Sequence, residues 1–265
     1  MLATVFLAAP LDKYVLSQWQ WAHALGLPTG RIAIFLLAGF LLLSIPALRR
    51  HCQRVLRTPI APERFKELPV ALALDVTAML GAFGAFALMH WAQGGEPALA
   101  RIMGGPSHAA QWAAAISAGG IVQVLLATTI APVMEELVFR GLLFAAWQRQ
   151  MGWVASALLT SLVFGLFHGA VLPQFLASII FICVLRRTGS LWAPIILHAA
   201  TNALLWYPLL GQFVLPAGRS TGELHLWTPH LVCLAITLIA LPLYLWSARD
   251  SGIPSPVDFE QRRLF

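Results

Sequence analysis

The amino-acid sequence predicts an all-α protein, a polytopic transmembrane helical bundle of about seven (six to eight) spans. Of its 265 residues, 59% are apolar or aromatic and only 11% are charged, too little polar surface to cover a soluble globule of that size. Mean hydropathy is +0.77, and several stretches reach the roughly 20 apolar residues that a spanning helix needs. The basic residues lie mainly between those stretches, as residues that set orientation do. A single integral membrane domain over residues 1–265 follows.

The first eleven residues are apolar but lack the basic start and small-residue cleavage site of a signal peptide, and read as retained. Residues 13–30, with Tyr14, Trp19 and Trp21 among polar positions, suit headgroup depth, where amphipathic rings are favoured. The first span runs from about Ile32 to Leu48. A basic loop carrying Arg49, Arg50, Arg54, Arg57, Arg64 and Lys66 against Glu63 and Glu67 leads to a second span, about Pro69 to Trp91.

A Gly- and Pro-containing loop to about residue 107 and a small-residue stretch to Gly120 precede the third span, Ile121 to Trp147, which contains Glu135, Glu136 and Arg140. The fourth extends from Trp153 to about Leu172. Pro173 opens a fifth, cut short by Arg186 and Arg187; the sixth runs from about Leu191 to Leu210 and the seventh from about Leu231 to Trp246. On this arrangement the loops at 49–67, 148–152, 186–190 and 247–265 hold twelve Lys and Arg and the opposite loops four. That bias puts the amino terminus outside and the carboxy terminus in the cytoplasm.

A net charge of +6 and a pI near 9.9 do not indicate nucleic acid, because the basic residues are neither gathered in one soluble domain nor interleaved with exposed aromatics. The cysteines, Cys52, Cys183 and Cys233, are widely spaced and odd in number, so neither a disulfide framework nor a cysteine metal site is expected.

Ionisable groups inside a bilayer cost several kcal/mol even on lenient scales, roughly 2.5–3.5 at the helix centre, and so mark function. Glu136 and Arg140, four apart with the acid first, share a helical face in the favourable order for an ion pair. Glu135 points about 100° away without a local cation. Burial disfavours its charged form, which makes it the leading candidate for a general base.

His168 closes the stretch Phe164-Gly-Leu-Phe-His168 about fifteen residues into the fourth span. Alone it would read as a core histidine bonded to a backbone carbonyl, but the company of Glu135 makes it a candidate for chemistry. His198 and Asn202, again four apart, project from one face. They read equally well as two donors for a developing oxyanion or as interhelical glue.

Heights allow these residues to meet: at 1.5 Å per residue, Glu135, His168 and His198 lie roughly 18, 22 and 10 Å from the cytoplasmic ends of their spans. Asp75 and His90 sit near opposite ends of the second span, where side chains reach water. His225 and His230 fall in or beside a loop, and none of these four is assigned chemistry.

Glu135-Glu136-Leu-Val-Phe-Arg140, Phe164-Gly-Leu-Phe-His168 and His198-Ala-Ala-Thr-Asn202, in that order, resemble the CPBP family of intramembrane glutamic proteases, which includes the CAAX-processing prenyl protease type and bacteriocin-processing or immunity proteins. The resemblance covers a protease-like core at about 120–205. It implies an intramembrane catalytic cavity in which Glu135 and His168 activate a water, His198 and Asn202 stabilise the oxyanion, and Glu136 and Arg140 support that geometry. The eight spans of the prenyl-protease type differ from the seven counted here.

The expected function is therefore an endopeptidase acting on a membrane-associated protein or peptide within the lipid bilayer, in a bacterial plasma membrane and without a cofactor. A zinc-dependent version, with His168, His198 and a glutamate as ligands, is the less favoured form, since Asn202 and the second glutamate have clearer roles without a metal; no His-Glu-x-x-His is present. A non-enzymatic immunity protein or a proton-coupled transporter is the alternative from another class. No repeated halves support the transporter.

Overall fold

A computed structural model describes residues 29–102, 118–168, 170–206 and 223–249. The apolar first eleven residues, most of the interfacial segment at 13–30 and the end of the sixth expected span lie outside them. Among the described residues every regular element is helical. In chain order they are α1 (Thr29–Ser44), α2 (Pro46–Leu56), a 3-10 turn (Pro62–Arg64), α3 (Glu67–Ile102), α4 (Ala118–Leu125), α5 (Ala131–Glu136) and α6 (Ala145–Met151). They continue with α7 (Trp153–His168), α8 (Val171–Thr188), α9 (Trp192–Trp206), a second 3-10 turn (Leu224–Trp227) and α10 (Thr228–Ser247). Two π-helical segments, Leu126–Ile130 and Leu137–Phe144, join α4, α5 and α6 into one rod.

Among the described residues four helical stretches are long and apolar enough to cross a membrane: Pro62–Pro97, Gly120–Met151, Val171–Thr188 and Leu224–Ser247. Of the other three expected spans, α7 has 16 residues, about 24 Å at 1.5 Å per residue against a hydrocarbon core of about 30 Å, and α1 and α9 border residues outside the described range. The chain is an integral membrane protein.

Several expected boundaries move, for local reasons. The first span ends at Ser44 rather than Leu48 because Pro46 holds Ile45 extended (φ −88°, ψ 110°). The basic loop that follows is largely a helix: α2 exposes Arg49, Arg50 and Arg54 and buries Cys52 and Val55 in a core shared with Leu137 and Phe144. The second span is succeeded by a kink at Gly94 and Gly95, after which helix continues to Ile102 where a loop was expected. The fourth ends at His168, not Leu172. The fifth starts at Val171, with Pro173 in its first turn, where its missing N–H is tolerated.

Helix α8 lies at the centre, buried continuously from Ala177 to Leu185, and packs on α7 and α3; α10 packs along α3. That last contact is close because Gly84 has no side chain: a Cβ there would lie 2.6 Å from the carbonyl oxygen of His230. His230 is itself buried in the first turn of α10, just after the 3-10 turn.

One end of the bundle is basic. Arg187 donates to both carboxylate oxygens of Glu67 (2.6 and 3.1 Å) and to Ser247 Oγ (2.8 Å), so Glu67, expected as a loop charge, is buried. Trp192 Nε1 donates to the Leu56 carbonyl and Ser190 Oγ to that of Thr58, each at 2.7 Å. These contacts bring together the ends of α2, α3, α8, α9 and α10 with their arginines, the arrangement the positive-inside bias requires. All three cysteines are free.

Candidate active site

The acidic pair sits on α5, the short α-helical piece between the two π segments. Their register has a cause. Pro132 has no N–H, and its ring would press on the carbonyl four residues back. The N–H of Ala131 turns instead to Leu126, five residues away, and the same register asks Ala127 to pair with a proline. The Ala127 carbonyl is left for a partner from elsewhere, and Asn202 Nδ2 donates to it at 2.7 Å. A second carbonyl, that of Gly141 in the other π segment, is taken by His51 Nε2 of α2 at 2.8 Å.

Behind the acids the Arg140 guanidinium is fully buried. Its Nη1 donates to Glu136 Oε1 at 2.9 Å, and its Nη2 donates to Ser178 Oγ at 2.8 Å and to the Ser178 carbonyl at 3.3 Å. The rings of Phe164 and Phe181 flank it, with centroids 4.6 and 5.2 Å from Cζ. The ion pair expected from the spacing of Glu136 and Arg140 is therefore present, although the arginine stands in a π segment.

His168 ends α7 rather than standing within a span. Its Nδ1 donates to the Phe164 carbonyl at 2.7 Å and its Nε2 faces Glu135 Oε2 at 3.2 Å. A carbonyl only accepts, so Nδ1 carries a proton, and the contact at Nε2 holds one further proton shared between ring and carboxyl. The first residue of α8 passes close behind: a Cβ on Gly165 would lie 2.6 Å from the Val171 carbonyl oxygen, which gives the glycine of the Phe-Gly-Leu-Phe-His stretch a packing reason.

His198 donates from Nδ1 to Glu136 Oε1 at 3.0 Å and turns Nε2 toward Glu135 Oε2 at 3.8 Å; its ring stacks on Phe181. Asn202 shares its face of α9 but binds Ala127 with one of its two N–H bonds. The structure thus brings Glu135, Glu136, Arg140, His168 and His198 into one cluster and sets Asn202 beside it. Exposure grades them: the Glu135 and His168 side chains are 22% and 16% exposed and those of Glu136 and Arg140 0%, so a small reactant can reach the first pair and not the second.

Sequence reading missed two members of this neighbourhood. His51, in the basic segment, reaches the π segment, and Asp75 is fully buried beside Thr201 instead of extending to water. His90 packs edge-on against Phe86, and His225 is exposed beside Glu223. Among the described residues no group of three or more His, Cys, Asp or Glu is arranged to hold a metal ion.

Residues 117–204 match the model of a family described as Type II CAAX prenyl endopeptidase Rce1-like. Over 87 residues the chain is 24% identical to the Bacillus subtilis (strain 168) protein named "Putative membrane peptidase YdiL"; the match covers 32% of this chain and 36% of that relative. No solved structure matches the chain significantly. The matched segment carries all three motifs and the cluster they form, and over residues 117–204 the chain is similar to this peptidase family.

Proposed function

We propose that the chain is an intramembrane glutamic endopeptidase, hydrolysing a peptide bond of a membrane-associated protein or peptide with a water activated by Glu135 and His168. The observation that carries this reading is the placement of Glu135 Oε2 between His168 Nε2 (3.2 Å) and His198 Nε2 (3.8 Å), on a side chain that small molecules can reach. Three helices contribute one group each, and a water hydrogen-bonded to Glu135 meets a base whose orientation is fixed by two imidazoles.

In this reading Glu135 takes a proton from water while the hydroxide attacks the substrate carbonyl. With Nδ1 held by Glu136, His198 donates from Nε2 as the imidazolium, and this N–H and the second N–H of Asn202 face the oxyanion that forms. Collapse expels the amine, which takes its proton from the Glu135–His168 pair, and no covalent enzyme intermediate arises. Glu136 and Arg140 act behind this chemistry by holding His198 through Nδ1. The substrates that suit a site at this depth are a lipidated or membrane-anchored protein trimmed near its C-terminus, or a sorting signal or leader, in a bacterial plasma membrane.

The test compares the masses of membrane-anchored proteins in cells with and without the gene, complemented by wild type, Glu135→Gln or His168→Ala. Wild type restores a shorter product and neither variant does. Restoration by both variants at normal insertion would overturn the proposal. Purified enzyme after exhaustive chelation keeps its activity; activity lost on chelation and restored by zinc would replace the metal-free form with the zinc-dependent one.

A further inference from the structure

Asp75 lies on α3, outside the segment that matches the family, and is fully buried. Its Oδ2 accepts a 2.6 Å hydrogen bond from Thr201 Oγ1, whereas Oδ1 has no hydrogen-bond partner among the described residues. For packing alone this is a poor choice, because a buried carboxyl that is only half satisfied costs more than a leucine of similar volume. What the acid holds gives it a use. Thr201 stands three residues after His198 and immediately before Asn202, on the helix that carries both.

Three polar contacts anchor α9 to three different elements. His198 binds Glu136 on α5 and Asn202 binds Ala127 in the first π segment, both on the rod that carries the acids. Thr201 binds Asp75 on α3. Neighbouring helical residues point about 100° apart, so the Asp75 bond pulls along a direction the other two do not, and together they fix both the height and the rotation of α9. Arg140 and His198 also lie within electrostatic reach of the Asp75 carboxyl, which places it beside the site.

We infer that Asp75 is a positioning residue of this site: through Thr201 it sets the rotation of α9 that presents His198 and Asn202 to the reacting group. The inference rests on the peptidase reading above. The experiment uses full-length protein in detergent micelles and an internally quenched peptide carrying the cleavage site found by the mass comparison.

Asp75→Leu and Thr201→Val lose about ten- to hundredfold in kcat, as misplacement of a reacting group does, with KM within about twofold and the thermal midpoint of Asp75→Leu equal to or above wild type. Asp75→Asn, whose amide oxygen still accepts from Thr201, and Thr201→Ser recover most of the rate. Full kcat in Asp75→Leu overturns this inference alone. So does a fall of kcat together with the thermal midpoint and a rise of KM, which would make Asp75 a packing element. Absence of cleavage by wild type overturns the peptidase reading and this inference with it.

Discussion

Replacing Arg140 by methionine takes the cation from a pair in which both side chains are 0% exposed. Glu136 then keeps only His198 as a donor to Oε1, its Oε2 having no hydrogen-bond partner among the described residues, and Ser178 loses the donor to its hydroxyl and carbonyl oxygens. Breaking a buried pair by removing one partner costs about 3–5 kcal/mol, since an uncompensated charge stays behind. Removing both charges is different: Glu136→Leu with Arg140→Met leaves no uncompensated charge, and the gain of up to about 4 kcal/mol from deleting a buried pair is offset by about 1–3 kcal/mol for each of His198 Nδ1 and Ser178 Oγ left without a partner. The predicted order is double variant near wild type, and both well above Arg140→Met. Unfolding of purified protein in mixed micelles under denaturing detergent reads that order. Activity follows another one, because both variants disturb the acceptor of His198 Nδ1 and lose cleavage. An Arg140→Met protein as stable as wild type, or a double variant as unstable as the single, would refute the reasoning.

Three further variants probe the surroundings of the acids. His51→Phe removes the side-chain donor to the Gly141 carbonyl and costs about 0.5–1.5 kcal/mol, with faster hydrogen exchange over the second π segment by mass spectrometry; unchanged exchange there would show that the contact contributes nothing. Gly165→Ala forces a methyl group to within 2.6 Å of the Val171 carbonyl and is expected to lower stability by about 1–3 kcal/mol and to slow cleavage by displacing His168, read by thermal unfolding and a steady-state assay. Asn202→Ala lowers kcat about 10²- to 10³-fold, the range for loss of an oxyanion donor, and an unaltered kcat would remove Asn202 from the proposed machinery.

The parts of this structure that were legible in the sequence are those set by one helix at a time. Glu136 and Arg140 could be paired from a four-residue spacing, and the apolar runs gave an all-helical membrane bundle. The depth estimate allowed Glu135, His168 and His198 to meet, and in the structure they do. Contacts between elements were not legible: nothing local says that Asp75 faces Thr201 or that His51 crosses to Gly141, because each depends on how helices far apart in the chain pack. The end of α7 at His168 was missed for a similar reason. Its apolar sequence runs on, and only the close approach of Val171 to Gly165 shows that α8 has already begun. Pro46 and Pro132 were visible signals whose effects, a helix break and a π segment, went unread.

Pro132 also explains why the acids stand where they do. In an apolar medium each unpaired carbonyl is costly, so the π register that Pro132 imposes obliges another element to supply a donor for Ala127, and Asn202 of α9 supplies it. The proline therefore couples the register of the acid-bearing rod to the helix that carries His198. Pro132→Ala returns an N–H to position 132 and removes the ring, which in a helix interior costs about 3 kcal/mol. The freed N–H competes with Asn202 for the backbone, and a relaxation of Leu126–Ile130 toward α-helical register rotates Glu135 away from His168. The variant is expected to unfold at a higher temperature than wild type and to cleave more slowly, a combination that simple damage to the fold does not produce. Equal or faster cleavage by a more stable Pro132→Ala protein would show that the π register is a by-product of the sequence and not a condition of the site.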